Sequence, residues 1–392
     1  IGEITTLGRG GSDFTAAIIA AALHVEQLEI WTDVSGMYTT NPKLVKQAYP
    51  IDKISYQEAM ELSHFGAKVL YPPTVQPVLS LNIPIHIKNT LEPDAVGTVI
   101  SNEETKSTSP VKGISNICNI ALLTLEGTGM VGIPGFSKRL FETLSQEKIN
   151  VIMITQASSD PILVETGLSI IALVGDNMKN HQGISGKMFS SLGRNNINIR
   201  AIAQGASEKN ITAVIDEKDV KKALNTLHEQ FFESKTKQLN VFITGVGNVG
   251  ERLVEQIKQQ NLRVVGLSNS RTMIFDEDGI NLKNWKDELP QGEKASLQGF
   301  FENTKALNLR NSIFIDVTAN KDIADLYTQY LRQSIAIVAC NKIACSSDYN
   351  NYKELKRLSL KYNAPFLFET NVGAGLPVID TLSNLIASGD KV

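Results

Sequence analysis

One turn constrains the last third of this chain more than any other stretch. Gly245-Val246-Gly247-Asn248-Val249-Gly250 follows directly on the apolar run Leu239 to Thr244 and leads into a helical pattern reaching about Gln259. G-x-G-x-x-G spacing alone carries little information. Between a strand and a helix, with another strand at Leu262 to Leu267, it becomes the context of a Rossmann fingerprint. There the glycines permit a tight turn, close approach of a pyrophosphate and close packing of helix on strand. The pattern predicts a dinucleotide site, with another small-molecule site on a Rossmann fold as the alternative. About 20 residues past such glycines a carboxylate would bond the ribose 2′-hydroxyl of NAD. This chain has Ser268-Asn269-Ser270-Arg271 there, and Arg271 can meet a 2′-phosphate, so NADP(H) is favoured over NAD, with Asn269 and Arg271 near the deciding group.

Further on, Ile313 to Thr318 and Ile335 to Cys340 read as buried strands with a helix, Ile323 to Leu331, between them. The first runs to Thr318, and the second ends in Asn341-Lys342. A helix from Tyr349 to Tyr362 leads to a strand, Pro365 to Phe368, which opens into Glu369-Thr370-Asn371-Val372-Gly373-Ala374-Gly375-Leu376-Pro377. Pro377 suits the first position of a helix.

The first hundred residues carry a different signature. Leu7-Gly8-Arg9-Gly10-Gly11-Ser12-Asp13 runs into an Ala-rich helix from Phe14 to about Leu23, with Ser12 or Asp13 able to cap it. A glycine-rich helix start of this kind suits an anion. It is not a P-loop, since no Gly-Lys-Ser/Thr follows. A strand, Leu28 to Thr32, delivers Asp33 into a loop holding Gly36, Tyr38 and Lys43, a set that serves a nucleotide or, equally, a capped turn. A helix near Tyr56 to His64, the stretch Phe65 to Pro72 with Lys68, and a strand, Ile83 to Lys88, complete the segment.

Between these regions, beyond a polar linker at Ser101 to Pro110, the chain repeats itself. One offset of 48 residues pairs Phe141 with Phe189, Leu144 with Leu192 and Gln156 with Gln204. The motif Ile-Asn-Val/Ile-x-x-Ile-x-Gln occurs at Ile149 to Gln156 and Ile197 to Gln204, each read as a strand ending in glutamine. Such a glutamine, if buried, needs a partner, which a small hydrogen-bonding ligand would supply. A purely structural duplication is the alternative. After Asp160 the strand and helix that would finish the first copy are missing, so that copy reads as truncated.

With 42% hydrophobic and 20% charged residues the chain reads as a soluble multidomain protein, and a net charge of -3 offers no field for nucleic acid. No apolar run approaches the ~20 residues that span a bilayer, so no membrane partner is expected. Cys118, Cys340 and Cys345 have no metal-site or disulfide spacing and read as reduced, mostly buried thiols. The absence of an export signal points to the cytoplasm, and a start at Ile1 reads as a cut or processed end.

In order, these stretches resemble a known family. Leu-Gly-Arg-Gly-Gly-Ser-Asp, Thr-Asp-Val-x-Gly-x-Tyr-Thr-Thr and Phe-Gly-Ala-Lys-Val-Leu resemble the C-terminal half of an aspartate kinase of the amino-acid kinase fold. The repeat resembles the ACT regulatory domains of threonine-sensitive aspartate kinases. Gly-Val-Gly-x-Val-Gly, Asn-Lys and Glu-x-x-Val-Gly-Ala-Gly-Leu-Pro resemble the nucleotide-binding part of homoserine dehydrogenase. The order is that of the bifunctional aspartate kinase/homoserine dehydrogenase family.

The resemblance implies an α/β multidomain chain: kinase at 1–100, an ACT (βαββαβ) pair at 111–235 with the first module truncated, and a Rossmann NAD(P)-binding domain at 239–392. It implies that Arg9, Ser12 and Asp13 hold aspartate, with Arg9 and Asp13 catalytic, while Thr32, Asp33, Tyr38, Lys43 and Lys68 surround ATP-Mg. Ile154, Gln156, Ile202 and Gln204 would bind threonine at a subunit contact of a dimer or tetramer. Gly245, Gly247, Asn248, Val249, Gly250, Asn269, Arg271, Thr318 and Lys342 would hold the dinucleotide, with Lys342 also at the reacting oxygen of aspartate semialdehyde or homoserine. Glu369 and the carbonyls of Val372, Ala374 and Leu376 would hold a monovalent cation such as sodium. The family's Lys-Phe-Gly-Gly stretch and the dehydrogenase's later Asp and Lys are not among these 392 residues, so the polypeptide as given is expected to turn over neither substrate. A catalytically silent regulatory fragment that binds threonine and nucleotide is the competing reading.

Overall fold

The computed structural model describes residues 10–102, 109–124, 136–154, 163–205, 208–233, 237–258, 260 and 262–391. The chain divides into two compact units, residues 1–192 with 197–233, and residues 193–196 with 234–392. Among the described residues no helix is long and apolar enough to cross a membrane.

In the first unit, strands β1 (Leu28–Thr32), β2 (Lys53–Ser55), β3 (Ile85–Asn89) and β4 (Thr98–Ser101) form a sheet in the order β1-β3-β4-β2. β1 and β3 run parallel, with Leu28 opposite Ile85 and Thr32 opposite Asn89. Alternation does the sorting: Leu28, Ile30, Ile85 and Ile87 are buried, whereas Trp31 is 45% exposed. The helix Gly11–Leu23 lays Ala17 and Ala20, both buried, into the same core. It starts earlier than expected. Left-handed Gly10 stands at its N-cap without a side-chain cap, and Ser12 instead bonds Asp13 at 3.2 Å. The helix Tyr56–His64 begins with a capping box, Ser55 and Glu58 each bonding the other's backbone N–H.

The second sheet contains β5 (Gly113–Thr124), β6 (Leu163–Val174), β7 (Ile199–Gln204) and β8 (Asn210–Asp216) in the antiparallel order β5-β6-β8-β7. The second repeat supplies β6, the helix Ile184–Arg194, β7, β8 and the helix Val220–Phe232. β5, from the first repeat, takes the remaining edge. The first repeat adds the helix Phe136–Gln146, but Ile149–Ile154 is irregular chain rather than the strand its sequence suggested. Both edges of the sheet belong to other strands, and Ile149 and Ile154 are 54% and 65% exposed.

β6 explains its own unbroken apolar run, Ile170 to Val174. Leu168, Ile170, Ala172 and Val174 join the core of the first sheet, while Ile171 and Leu173 join Met188, Leu192 and Leu224 under the two helices. A strand covered on both faces needs no polar alternation. Cys118, expected to be buried, is exposed, because register shifts between Ile117 and Ile120 and left-handed Asn119 bulge β5 at that point.

The second unit is a seven-stranded sheet in the order β12-β11-β10-β9-β13-β14-β15: β9 (Leu239–Thr244), β10 (Leu262–Ser268), β11 (Thr272–Phe275), β12 (Glu293–Lys294), β13 (Ser312–Asp316), β14 (Ala336–Ala339) and β15 (Phe366–Leu367). β10, β9, β13, β14 and β15 are parallel, and the antiparallel pair β11 and β12 closes one edge. The expected helix Ile323 to Leu331 is two short helices, Lys321–Asp325 and Tyr327–Arg332, broken at Leu326.

Burial on both faces of β6 has a measurable consequence. Ile170→Ala and Ile171→Ala, adjacent in sequence, should each lower unfolding free energy in urea by about 2 to 5 kcal/mol. If one of the two proves near neutral, the strand is covered on one face only.

Candidate functional sites

The β9–β13 pair is the point at which strand order reverses, since the chain leaves β9 toward β10 on one side and returns through β13 on the other. A crevice outside the carboxyl ends of such strands is where parallel α/β sheets bind ligands. Three glycines line the turn here for three physical reasons. Gly245 has φ +97°, and a Cβ on it would stand 2.6 Å from Thr318 Cγ2 and 2.8 Å from the Val317 carbonyl oxygen. A Cβ on Gly250 would collide with the Gly245 carbonyl oxygen, so its absence lets the helix Asn248–Ile257 lie against the turn. A Cβ on Gly247, by contrast, would meet nothing within 4 Å. The middle glycine faces open space at a helix N-terminus, where unpaired N–H groups and the dipole favour an anion.

At the end of β10, Asn269 Oδ1 accepts the backbone N–H groups of Arg271 (2.7 Å) and Thr272 (2.8 Å), which folds residues 269–272 into a tight turn and leaves Arg271 exposed. Ser268 Oγ donates to Thr244 Oγ1 at 3.2 Å, tying β10 to β9 at their ends. A narrow pocket opens beside them, lined by Thr244, Ser268, Asn269, Ser296, Leu297 and Phe300. Ser296 was missed in the sequence reading. It caps the helix Leu297–Leu307 through the N–H of Gly299, and its signal, a serine ahead of Leu297, Phe300 and Phe301, was there to be read.

Across the crevice, Asp316 ends β13 with no solvent exposure and accepts the N–H of Thr318 at 2.8 Å, the hydroxyl of Tyr327 at 2.7 Å and the amide of Asn341 at 3.0 Å. Burial first, and then the Asp316 charge, push the Tyr327 hydroxyl far above the usual phenol range, so it stays a donor. Lys342 follows Asn341 and is exposed. In the last loop Gly373 and Ala374 have φ of 72° and 53° and curl the chain, while the Glu369 carboxylate accepts the N–H groups of Ile379 (2.8 Å) and Asp380 (2.9 Å) at the start of the helix Val378–Ser388. An ionised carboxylate has about four acceptor directions, so Glu369 and an oxygen-rich turn remain compatible with a hard monovalent cation.

In the first unit, Arg9 lies outside the described residues. A Cβ on Gly10 would collide with the ring of Tyr71, so the start of the helix Gly11–Leu23 lies directly against the stretch that follows Lys68. Thr32 and Asp33 stand at the end of β1, with the Thr32 hydroxyl on Asp33 at 3.1 Å. The loop after them is fastened from below: Thr98 Oγ1 accepts the N–H of Met37 (2.8 Å) and donates to the carbonyl of Ile51 (2.7 Å), and a Cβ on Gly36 would strike that hydroxyl. Tyr38 is half-buried, and Lys43 is exposed beside Asn41, whose Oδ1 accepts its N–H.

The same loop is held by the second sheet's elements. Thr39, 2% exposed, accepts the N–H of Ile114 on its carbonyl (2.7 Å) and hydrogen-bonds through Oγ1 with Nε2 of fully buried His228 (3.0 Å). His228 Nδ1 lies 3.0 Å from Glu233 Oε1, and its ring meets those of Tyr49 and Phe232. Asn225, one turn earlier on the same helix, donates to the carbonyl of Leu44 at 2.9 Å. Of the residues expected to bind an effector, Gln156 lies outside the described residues and Ile154 is exposed. Ile202 and Gln204 share the outer face of edge strand β7, where both are exposed. The expected cost of a buried, unpartnered glutamine therefore does not arise at Gln204.

Models of known families match three stretches: the amino acid kinase family at 1–89, the ACT domain at 123–170 and again at 171–231, and the homoserine dehydrogenase NAD-binding domain at 245–369. The bifunctional aspartokinase/homoserine dehydrogenase of Haemophilus influenzae is 40% identical over 434 residues, covering 100% of this chain and 53% of the relative. The chloroplastic bifunctional aspartokinase/homoserine dehydrogenase 1 of Arabidopsis thaliana is 39% identical, covering 99% and 48%. The chain belongs to the bifunctional aspartokinase/homoserine dehydrogenase family. It spans about half the length of these relatives.

Among solved structures, E. coli aspartokinase III in complex with aspartate and ADP (R-state) superposes with a TM-score of 0.53 at 34% identity, over 58% of this chain and 57% of that one. The family assignment fits the observed elements: part of an amino acid kinase fold, ACT repeats and a Rossmann-like NAD-binding domain.

The glycine geometry predicts a separation of effects. Gly247→Val should leave the melting temperature within about 2 °C of the parent yet lower affinity for a nicotinamide dinucleotide at least about tenfold, because it fills the open space at the helix N-terminus. Gly250→Val should lower the melting temperature by several degrees through overpacking. Thermal unfolding and a fluorescence titration check both, and equal behaviour of the two variants would contradict the assignment.

Proposed function

We propose that these residues belong to a two-site enzyme that phosphorylates L-aspartate to 4-phospho-L-aspartate with ATP-Mg and reduces L-aspartate 4-semialdehyde to L-homoserine with NADPH. The observation that carries the dehydrogenase reading is the open ground at Gly247, between a helix N-terminus and the switch point of a parallel sheet. NADPH, when bound, supplies the hydride. The chain's part is to take the pyrophosphate on the N–H groups around Gly247, Asn248 and Val249, and to meet the 2′-phosphate with Arg271 in the acid-free turn after β10. Lys342, at the end of β14, would polarise the aldehyde oxygen and stabilise the alkoxide that develops on it. Glu369, with the carbonyls of Val372, Ala374 and Leu376, would hold a sodium-like cation; hard cations take such oxygen ligands.

At the kinase site a carboxylate must approach a polyphosphate of like charge. Lys43 and Lys68 would offset that repulsion, and Arg9, Ser12 and Asp13 would hold aspartate in line. Threonine is the proposed effector, held at Ile202 and Gln204 with Ile154 and Gln156, at a contact between copies of the chain in the cytoplasm. The bonds from Thr39 to Ile114 and His228, and from Asn225 to Leu44, support regulation, since they join the nucleotide loop to the ACT helix and strand.

Two measurements test this reading. A charge-assisted hydrogen bond is worth about 1.5 to 3 kcal/mol, so Arg271→Ala should weaken NADPH binding about ten- to a hundredfold while changing NADH binding less than about threefold. Equal losses for both cofactors would contradict a role for Arg271 at the 2′-phosphate. By calorimetry, Gln204→Ala should weaken threonine binding at least about tenfold. Unchanged affinity would remove threonine from that site.

A further inference from the structure

Asp316 is buried at 0% exposure, and no step described above uses its charge. Three donors converge on it from separate elements: the backbone of Thr318, the Tyr327 hydroxyl and the side-chain amide of Asn341. An ionised carboxylate only accepts, so it fixes the direction of every group it meets. For Asn341 that direction has a consequence. Its amide nitrogen donates to Asp316 Oδ2 and to the carbonyl of Asn320 (2.9 Å), which leaves its Oδ1 to accept the N–H of Ile343 at 3.1 Å. A flipped amide would set oxygen against carboxylate and carbonyl. Lys342 therefore stands between two residues whose positions one buried charge determines. The same charge holds the N–H of Thr318, whose methyl group packs on Gly245.

We propose that Asp316 is a positioning residue for the dehydrogenase reaction: through Asn341 it aims Lys342 at the reacting oxygen, and through Thr318 it fixes the facing wall of the dinucleotide crevice. This rests on the reading of Lys342 given above. It assigns to Asp316 and Asn341 no contact with substrate or cofactor.

The two tasks separate on substitution. An Asn at 316 still offers a carbonyl oxygen to the N–H of Thr318, but it turns an NH2 group toward the amide of Asn341, which must then flip and release Ile343. In the protein at full length, Asp316→Asn should lower kcat for homoserine oxidation on the order of ten- to a hundredfold, as misplacement of a catalytic group by about an ångström can. The NADPH dissociation constant should stay within about threefold of the parent, since the wall at Thr318 survives. A fall in kcat with NADPH binding retained is a split that loss of general stability would not give.

A kcat for Asp316→Asn within threefold of the parent, or an NADPH dissociation constant raised in step with the fall in kcat, would overturn the proposal. If Asp316→Asn does not fold, Asn341→Ala, which keeps the charge and its other two donors, must show the same fall in kcat with NADPH binding retained; parent-like kcat there would equally overturn it. A parent protein that fails to bind NADPH would sink the dehydrogenase reading and this proposal with it, and is told apart by the parent titration alone.

Discussion

The second unit depends on one close approach, the turn after β9 lying directly on the chain that leaves β13. Gly245 makes it possible, because any side chain there would meet Val317 and Thr318. With the two ends in contact, the helix Asn248–Ile257 can start where an anion would sit, and the absence of a Cβ at Gly250 lets it settle against the turn. Asp316, one residue before Val317, then holds Thr318 and Asn341 together beneath the opening. A turn, a helix start and a buried carboxylate thus define one crevice from residues scattered between Gly245 and Asn341.

The first unit is organised by a strand rather than by a turn. β6 contributes alternate side chains to two cores, one shared with the kinase-like sheet and one lying beneath the ACT helices. A displacement of that strand would be felt on both faces, because close-packed interiors transmit strain. Thr39 adds a polar link to the apolar one. Its carbonyl is held by β5 and its hydroxyl by His228, while the exposed Lys43 lies four residues further along the same loop.

Local patterns were legible where chemistry and periodicity agreed. β1, the helix Tyr56–His64 and β9 have the bounds their sequences suggest, and Gly245 and Gly250 take the tight turn and the close helix packing that the spacing implies, with Gly247 beside open space. The expected strand at Ile149 was not realised because the stretch Ile149–Ile154 pairs with neither β5 nor β7, and apolar β-branched residues specify a strand only where they pair. Ser12 and Asp13 failed as caps because left-handed Gly10 had already begun the helix. Least legible were the ties between distant residues. Nothing near Asp316 in the sequence announces Asn341, and nothing near Thr39 announces His228, since such pairs exist only once the sheets have formed. Gln204 makes the converse point: its motif was plain, but its exposure on an edge strand depends on which neighbour β7 lacks.

Dinucleotide binding by the second unit requires that the open ground at Gly247 take the pyrophosphate. Amide hydrogen exchange followed by mass spectrometry, with and without saturating NADPH, reads that ground directly. Exchange should slow in peptides covering Gly245–Gly250 and Val317–Thr318, while peptides covering β3 and β4 exchange as before. Protection confined to residues outside the β9 and β13 ends, or no protection under conditions where NADPH is bound, would contradict it.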